Sequence, residues 1–123
     1  DADRMIAIIF EVEPVAAHRD AYLDIAAKLK PELEKIDGFI SVERFQSITN
    51  PGKMLSLSFF RDEAAVKQWR NLESHRHAQE AGRGKEGRDG LFANYRLRVA
   101  SILRDYGMNE RAEAPSDSVA LHG

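Results

Sequence analysis

Between Met5 and Val12 the chain reads Met-Ile-Ala-Ile-Ile-Phe-Glu-Val, and this segment restricts the fold more than any other. Alternate residues of a strand point to opposite sides, so Ile6, Ile8, Phe10 and Val12 share one face while Met5, Ala7 and Ile9 share the other. Both faces are apolar, and both need cover. Helices of the same domain supply cover for one face only, so the other requires a second layer from outside it.

The rest of the chain is punctuated clearly. Glu13 and Pro14 end the first strand, and Tyr22, Ile25, Ala26, Leu29, Leu33 and Ile36 then recur every three or four residues, which predicts an amphipathic helix over 16–36 with a kink at Pro31. Asp37-Gly38 supplies its stop. Two alternating segments, Phe39 to Ser47 and Lys53 to Phe60, flank the loop Thr49-Asn50-Pro51-Gly52 and predict a hairpin. Asp62 is a helix N-cap, and a second helix through Ala65, Val66 and Trp69 is interrupted at Leu72-Glu73-Ser74 before a short helix over His75 to Ala81. The glycines at 82, 84, 87 and 90 lie among charged residues and predict a mobile loop. Leu91 to Tyr106 alternates as one long last strand, and the small, polar tail over 107–123 is expected to be extended or disordered.

The order strand, helix, strand, strand, helix, strand predicts an α+β, ferredoxin-like βαββαβ domain over 1–106, with a four-stranded antiparallel sheet and both helices on one face. A homodimer in which two sheets meet would bury the remaining face of the first strand, with the long last strand crossing toward the partner.

Composition excludes several function classes. The net charge is -2, and the arginines between Arg70 and Arg104 are interleaved with Glu73, Glu80, Glu86, Asp89 and Asp105, so no nucleic acid partner is expected. The chain has no cysteine, which leaves no thiolate ligand or nucleophile and fits a reducing, cytoplasmic compartment. Asp1 to Arg4 lacks the basic-then-apolar order of a signal peptide, and no apolar run approaches the ~18 residues of a membrane span.

Candidate chemistry concentrates at Trp69, the only tryptophan, with His75 and His77 after it. On a helix, residues two apart point about 200° away from each other, so the two histidines cannot chelate one ion, and no metal site is expected. Core packing is the commoner role of such a tryptophan, and hydrogen-bonded burial or simple exposure that of the histidines. A histidine at a cavity mouth can instead move a proton near neutral pH or bind haem iron. Phe45, Phe59 and Tyr95 are candidate cavity liners. The chain lacks a Gly-x-Ser-x-Gly elbow, a dinucleotide fingerprint and a phosphate-loop lysine.

Ile36-Asp-Gly-Phe-Ile-Ser-Val-Glu-Arg-Phe45, Leu55-Ser-Leu-Ser-Phe-Phe-Arg-Asp-Glu-Ala-Ala-Val66, Trp69 with His75, and Tyr95-Arg-Leu-Arg-Val-Ala100 together resemble the antibiotic biosynthesis monooxygenase family over roughly residues 5 to 106. The resemblance implies a dimeric α+β barrel. It also implies a cofactor-independent monooxygenase acting on a small aromatic or quinol-like metabolite, with His75 as acid or base, Trp69 shaping the pocket, and Phe45, Phe59, Tyr95 and His77 around the substrate. Haem-binding or haem-degrading relatives give the alternative; the chain departs from the haem-degrading set because its first strand has no asparagine, while haem binding stays open. A non-catalytic dimer that binds a small apolar ligand is the third possibility the resemblance implies.

Overall fold

A computed structural model describes residues 4–72 and 91–115. Along them run β1 (Ile6–Pro14), a 3-10 turn (Ala16–His18), α1 (Arg19–Leu33), β2 (Phe39–Gln46), β3 (Met54–Phe60), α2, whose described part is 63–72, and β4 (Phe92–Ser101). The strands form one antiparallel sheet in the order β2-β3-β1-β4. This is the ferredoxin-like α+β arrangement expected from the element order. It puts β1 inside the sheet, between β3 and β4, with Ile6, Ile8 and Val12 of one face buried in the core. The expected break of α2, the short helix after it, His75, His77 and the glycine-containing segment all lie outside the described residues. Among the described residues no helix is long and apolar enough to cross a membrane.

The helix-facing side of the sheet holds two separate core clusters. Ile6, Ile8 and Phe60 pack with Ala65 and Val66 of α2 at one end, and Val12 and Met54 pack with Tyr22 of α1 at the other. Phe60 is fully buried, with Phe39 edge-on at 5.7 Å between ring centres, so its burial contributes roughly 1.5–3 kcal/mol. Helix α1 buries Tyr22, Ala26, Leu29 and Leu33, the stripe its sequence spacing requires. It is shorter than expected at both ends. Its N-terminal part is the 3-10 turn, and after Pro31 the chain tightens through Lys35 N–H to Glu32 O (3.2 Å) and Ile36 N–H to Leu33 O (3.0 Å).

Two junctions are fixed by local chemistry. Gly38 has φ +97°, and a Cβ there would lie 2.9 Å from Cβ of Ala65, so the turn after α1 can press against α2 only without a side chain. Asp62 Oδ1 accepts the Ala65 N–H at 3.1 Å, the cap its sequence position predicts. The side chain of Arg61 joins these junctions by donating to Asp37 (3.2 and 3.3 Å) and to Asp62 (3.0 Å), which holds the guanidinium still more firmly protonated.

Strand β4 ends at Ser101, short of the expected Tyr106. Its last pair with β1 is Ser101 with Ile6, and Ile102 N–H then donates to the Met5 carbonyl at 2.9 Å. From there the chain closes on itself: Gly107 N–H donates to Glu110 O at 2.8 Å, Asp105 N–H donates to Glu113 Oε1 at 2.6 Å, and the Arg111 guanidinium lies 5.4 Å over the Tyr106 ring.

Among the described residues the other side of the sheet carries no helix. By register Ala7, Ile9, Leu55, Leu57, Phe59 and Phe45 lie there, with Phe45 43% exposed. Glu11, on the same side, pairs with Lys53 at 2.9 Å and Arg98 at 2.8 Å. The hydrogen bond from Lys53, with a smaller contribution from Arg98, holds the Glu11 carboxyl below the usual carboxylate range.

Candidate functional site

The two core clusters leave a gap between them. On β3, Met54 and Phe60 serve the clusters at either end, while Ser56 and Ser58, on the same side of the strand, are too small to fill the middle. A cavity of about 850 Å³ opens there, within the range that accommodates small organic ligands. Its floor is the middle of the sheet: Ile8 and Phe10 from β1, the two serines from β3, and Val42 and Arg44 from β2. Helix α1 contributes Tyr22, Ala26 and Leu29 to one wall, and α2 contributes Trp69 and Arg70 to the other.

Aromatic rings mark both ends. Trp69 stands against Phe60, ring centres 6.4 Å apart, and thereby joins the α2 cluster to the cavity wall. At the opposite end Tyr95 lies 5.7 Å from Phe10 and 5.9 Å from Phe92, and Phe92 lies 5.8 Å from Tyr22. Quadrupoles in such tilted and edge-on pairs favour an ordered wall that can receive a flat or compact apolar ligand. The charged residues of the described lining are Arg44 and Arg70, and it contains no carboxylate or histidine.

Of the residues named from sequence, the structure brings Trp69 and Tyr95 to the same cavity. It places Phe45 and Phe59 on the helix-free side of the sheet, because their register partners are Leu55 and Ala7. His75 and His77 are outside the described residues. His18 sits exposed in the turn before α1 and is not part of the cavity lining. Among the described residues no group of three or more His, Cys, Asp or Glu could hold a metal ion. The described wall offers no imidazole, and His75, the haem ligand considered from the sequence, lies outside the described residues.

Arg44, Ser56, Ser58, Phe10 and Tyr22 were not singled out from sequence. A signal for the serines was present. In Met-Leu-Ser-Leu-Ser-Phe-Phe a central strand alternates large apolar side chains with small ones, and small residues on a helix-facing side leave space.

Comparison with known proteins agrees with this architecture. The family profile described as antibiotic biosynthesis monooxygenase matches residues 5–81. A protein of Pyricularia oryzae named jasmonate monooxygenase ABM is 45% identical over 106 residues, which are 86% of this chain and 47% of that protein, so the chain spans about half the length of this curated relative. Among solved structures, Rv0793 of Mycobacterium tuberculosis superposes with a TM-score of 0.69 at 17% identity, covering 84% of this chain and 99% of that one. PA3566 of Pseudomonas aeruginosa gives 0.64 at 17% identity, covering 84% and 98%. These structures share the fold.

Proposed function

The chain belongs to the antibiotic biosynthesis monooxygenase family, and from that premise we propose that it is a monooxygenase oxidising a small aromatic or quinol-like metabolite with molecular oxygen and no bound cofactor. The observation that carries this reading is the cavity of about 850 Å³, lined mainly by apolar and aromatic side chains, with Trp69 and Tyr95 at its ends. An electron-rich substrate whose reacting carbon is a CH2 beside a conjugated ring supplies all four electrons itself: R–CH2–R′ + O2 → R–C(=O)–R′ + H2O. The protein then has to bind and orient the substrate, remove one proton, and exclude water from the carbanion that meets oxygen. Trp69 and Tyr95 bind and orient. His75, which follows Trp69 in sequence, is the proposed proton acceptor, later returning the proton to the departing oxygen. Phe45, Phe59 and His77 have no part assigned in this cavity.

The similarity to the jasmonate monooxygenase supports a second substrate class, of jasmonate type. A substrate that does not supply the electrons requires a reductant: RH + O2 + 2H⁺ + 2e⁻ → ROH + H2O. Oxygen uptake therefore separates the two. Consumption with an anthrone or quinol in the absence of any reductant, with one atom of ¹⁸O2 entering the product and loss of rate in His75→Ala, is the expected result. Uptake with jasmonate only when a reductant is added favours the second class. A Soret band on haem titration that is lost in His75→Ala would overturn the cofactor-free mechanism, and silence in every assay would leave a ligand-binding dimer.

The assembly proposed with this function is a homodimer. Its support is the helix-free side of the sheet, where Ala7, Ile9, Leu57 and Phe59 form a continuous apolar strip bordered by the Glu11 ion pairs. A two-fold partner sheet buries the strip and keeps the charges at its rim.

A further inference from the structure

We propose that Arg44 is the anchor for a carboxylate, so that the cavity takes an amphipathic carboxylic acid with its head at β2 and its apolar body lying across the sheet. This deepens the proposed function and rests on its reading of the cavity as the substrate site. Arg44 lies on the helix-facing side of β2, directly opposite Ser56, and lines the cavity. Its Nε is buried and has no hydrogen-bond partner among the described residues. A guanidinium carries only donors and does not shed its charge by losing a proton, so a buried donor of this kind calls for an acceptor that arrives with a ligand.

The treatment of other arginines sharpens the contrast. Arg61 is paired with Asp37 and Asp62, and Arg98 with Glu11. All of these lie on outer surfaces where water alone would satisfy them. Of the two charged residues in the described cavity lining, Arg70 is exposed to water, whereas Arg44 is half-buried with its Nε buried, and no described lining residue answers it. The electrostatic complement is an anion.

A carboxylate is the anion of matching size. Its two oxygens fit the donor fork of one guanidinium, and Ser56, opposite Arg44 with Cβ atoms about 4.5–5.5 Å apart as for any directly facing pair, puts a hydroxyl beside the same spot. A doubly charged phosphate would need more donors than this mainly apolar lining presents. From β2 to β4 there are three strand intervals, about 14 Å, so a head on Arg44 directs a compact apolar body over Ser56 and Phe10 toward Leu97 and the neighbouring Tyr95. Arg44 thus selects and orients the ligand without touching the reacting carbon.

The test is calorimetric titration of the purified protein with two acids, naphthalene-1-acetate and 4-phenylbutyrate, each beside its methyl ester. The wild type is expected to bind the acids at least about tenfold more tightly than the esters, a ratio set by one charge-assisted hydrogen-bonded pair. Arg44→Met is expected to lose that preference while binding the esters unchanged, and Arg44→Lys to keep part of it. Circular dichroism confirms that the variants are folded. A wild type that prefers the esters, an acid preference that survives in Arg44→Met, or failure of all four compounds to bind overturns the proposal. Binding is read without turnover. An acid preference that depends on Arg44 in a protein that consumes no oxygen therefore upholds the anchor while removing the monooxygenase reading.

Discussion

Replacing Gly38 by alanine tests how the cavity wall is held. At φ +97° a Cβ costs about 1–2 kcal/mol in backbone strain alone. The added methyl also meets Cβ of Ala65 at 2.9 Å, inside van der Waals contact. Ala65 is 1% exposed and fixed in the first turn of α2, so it has no free rotamer with which to retreat. Separating the two groups requires α2 to shift outward, an overpacking penalty of roughly 1–2 kcal/mol. Together the terms amount to about 2–4 kcal/mol. With roughly 2.1 cal/mol/K per residue over 123 residues, the unfolding entropy is about 0.26 kcal/mol/K, and Tm should fall by about 8–15 °C. Urea titration followed by circular dichroism gives the free energy. The double variant Gly38→Ala, Ala65→Gly isolates the contact: its cost should be at least about 1 kcal/mol less than the sum of the single costs. A Gly38→Ala protein within about 0.5 kcal/mol of the parent, or a double variant that is strictly additive, would refute the argument that this turn is pressed onto α2.

Three further outcomes follow from the packing and charge described above. Trp69→Ala should destabilise by about 3 kcal/mol, the low end for aromatic truncation because the indole is half-buried, and should weaken binding of any compound that occupies the cavity; urea titration and calorimetry measure the two effects. Glu11 has a lowered pKa in the folded chain, so its contribution to stability is fully present above the ordinary carboxylate range and is lost as pH falls through the depressed folded value. Glu11→Gln should therefore flatten the acid side of the stability profile in denaturation curves taken at successive pH values. Ile9→Lys, which places a charge in the middle of the helix-free side of the sheet, should convert the proposed dimer to monomer in sedimentation velocity while leaving the helix-facing cavity intact.

The parts of the fold that were legible in the sequence are those fixed by nearest neighbours. The alternation of β1 marked it as a strand with apolar residues on both faces, Asp37-Gly38 ended a helix, and Asp62 began one. What was not legible depended on pairing partners. The alternation in Leu91 to Tyr106 extends past Ser101, but strand length is set jointly with the neighbouring strand, and the pairing with β1 runs only to Ile6 opposite Ser101. The side of the sheet on which Phe45 and Phe59 lie follows from their parity relative to Ile8, and parity across a hairpin is fixed only by register, which the loop between the strands does not specify. Arg44 was hidden for the same reason. Between Glu43 and Phe45 it reads as one charged residue of an amphipathic strand, and only the placement of Val42 and Arg44 over Ser58 and Ser56 shows that it points under the helices.

Trp69 has a consequence for how this protein can be observed. It is the only tryptophan, and two of the three tyrosines, Tyr22 and Tyr95, line the same cavity. Near-ultraviolet excitation at the red edge therefore selects a single indole whose emission colour tracks the polarity of one internal space. A ligand that displaces water from beside it shifts the spectrum to the blue, and at shorter excitation wavelengths, where the two cavity phenols also absorb, transfer from them to the indole makes its emission sensitive to the position of α1 and β4 relative to α2. The aromatic groups that shape the cavity thus also make it an optical reporter, which follows occupancy on the timescale of mixing and needs no attached dye.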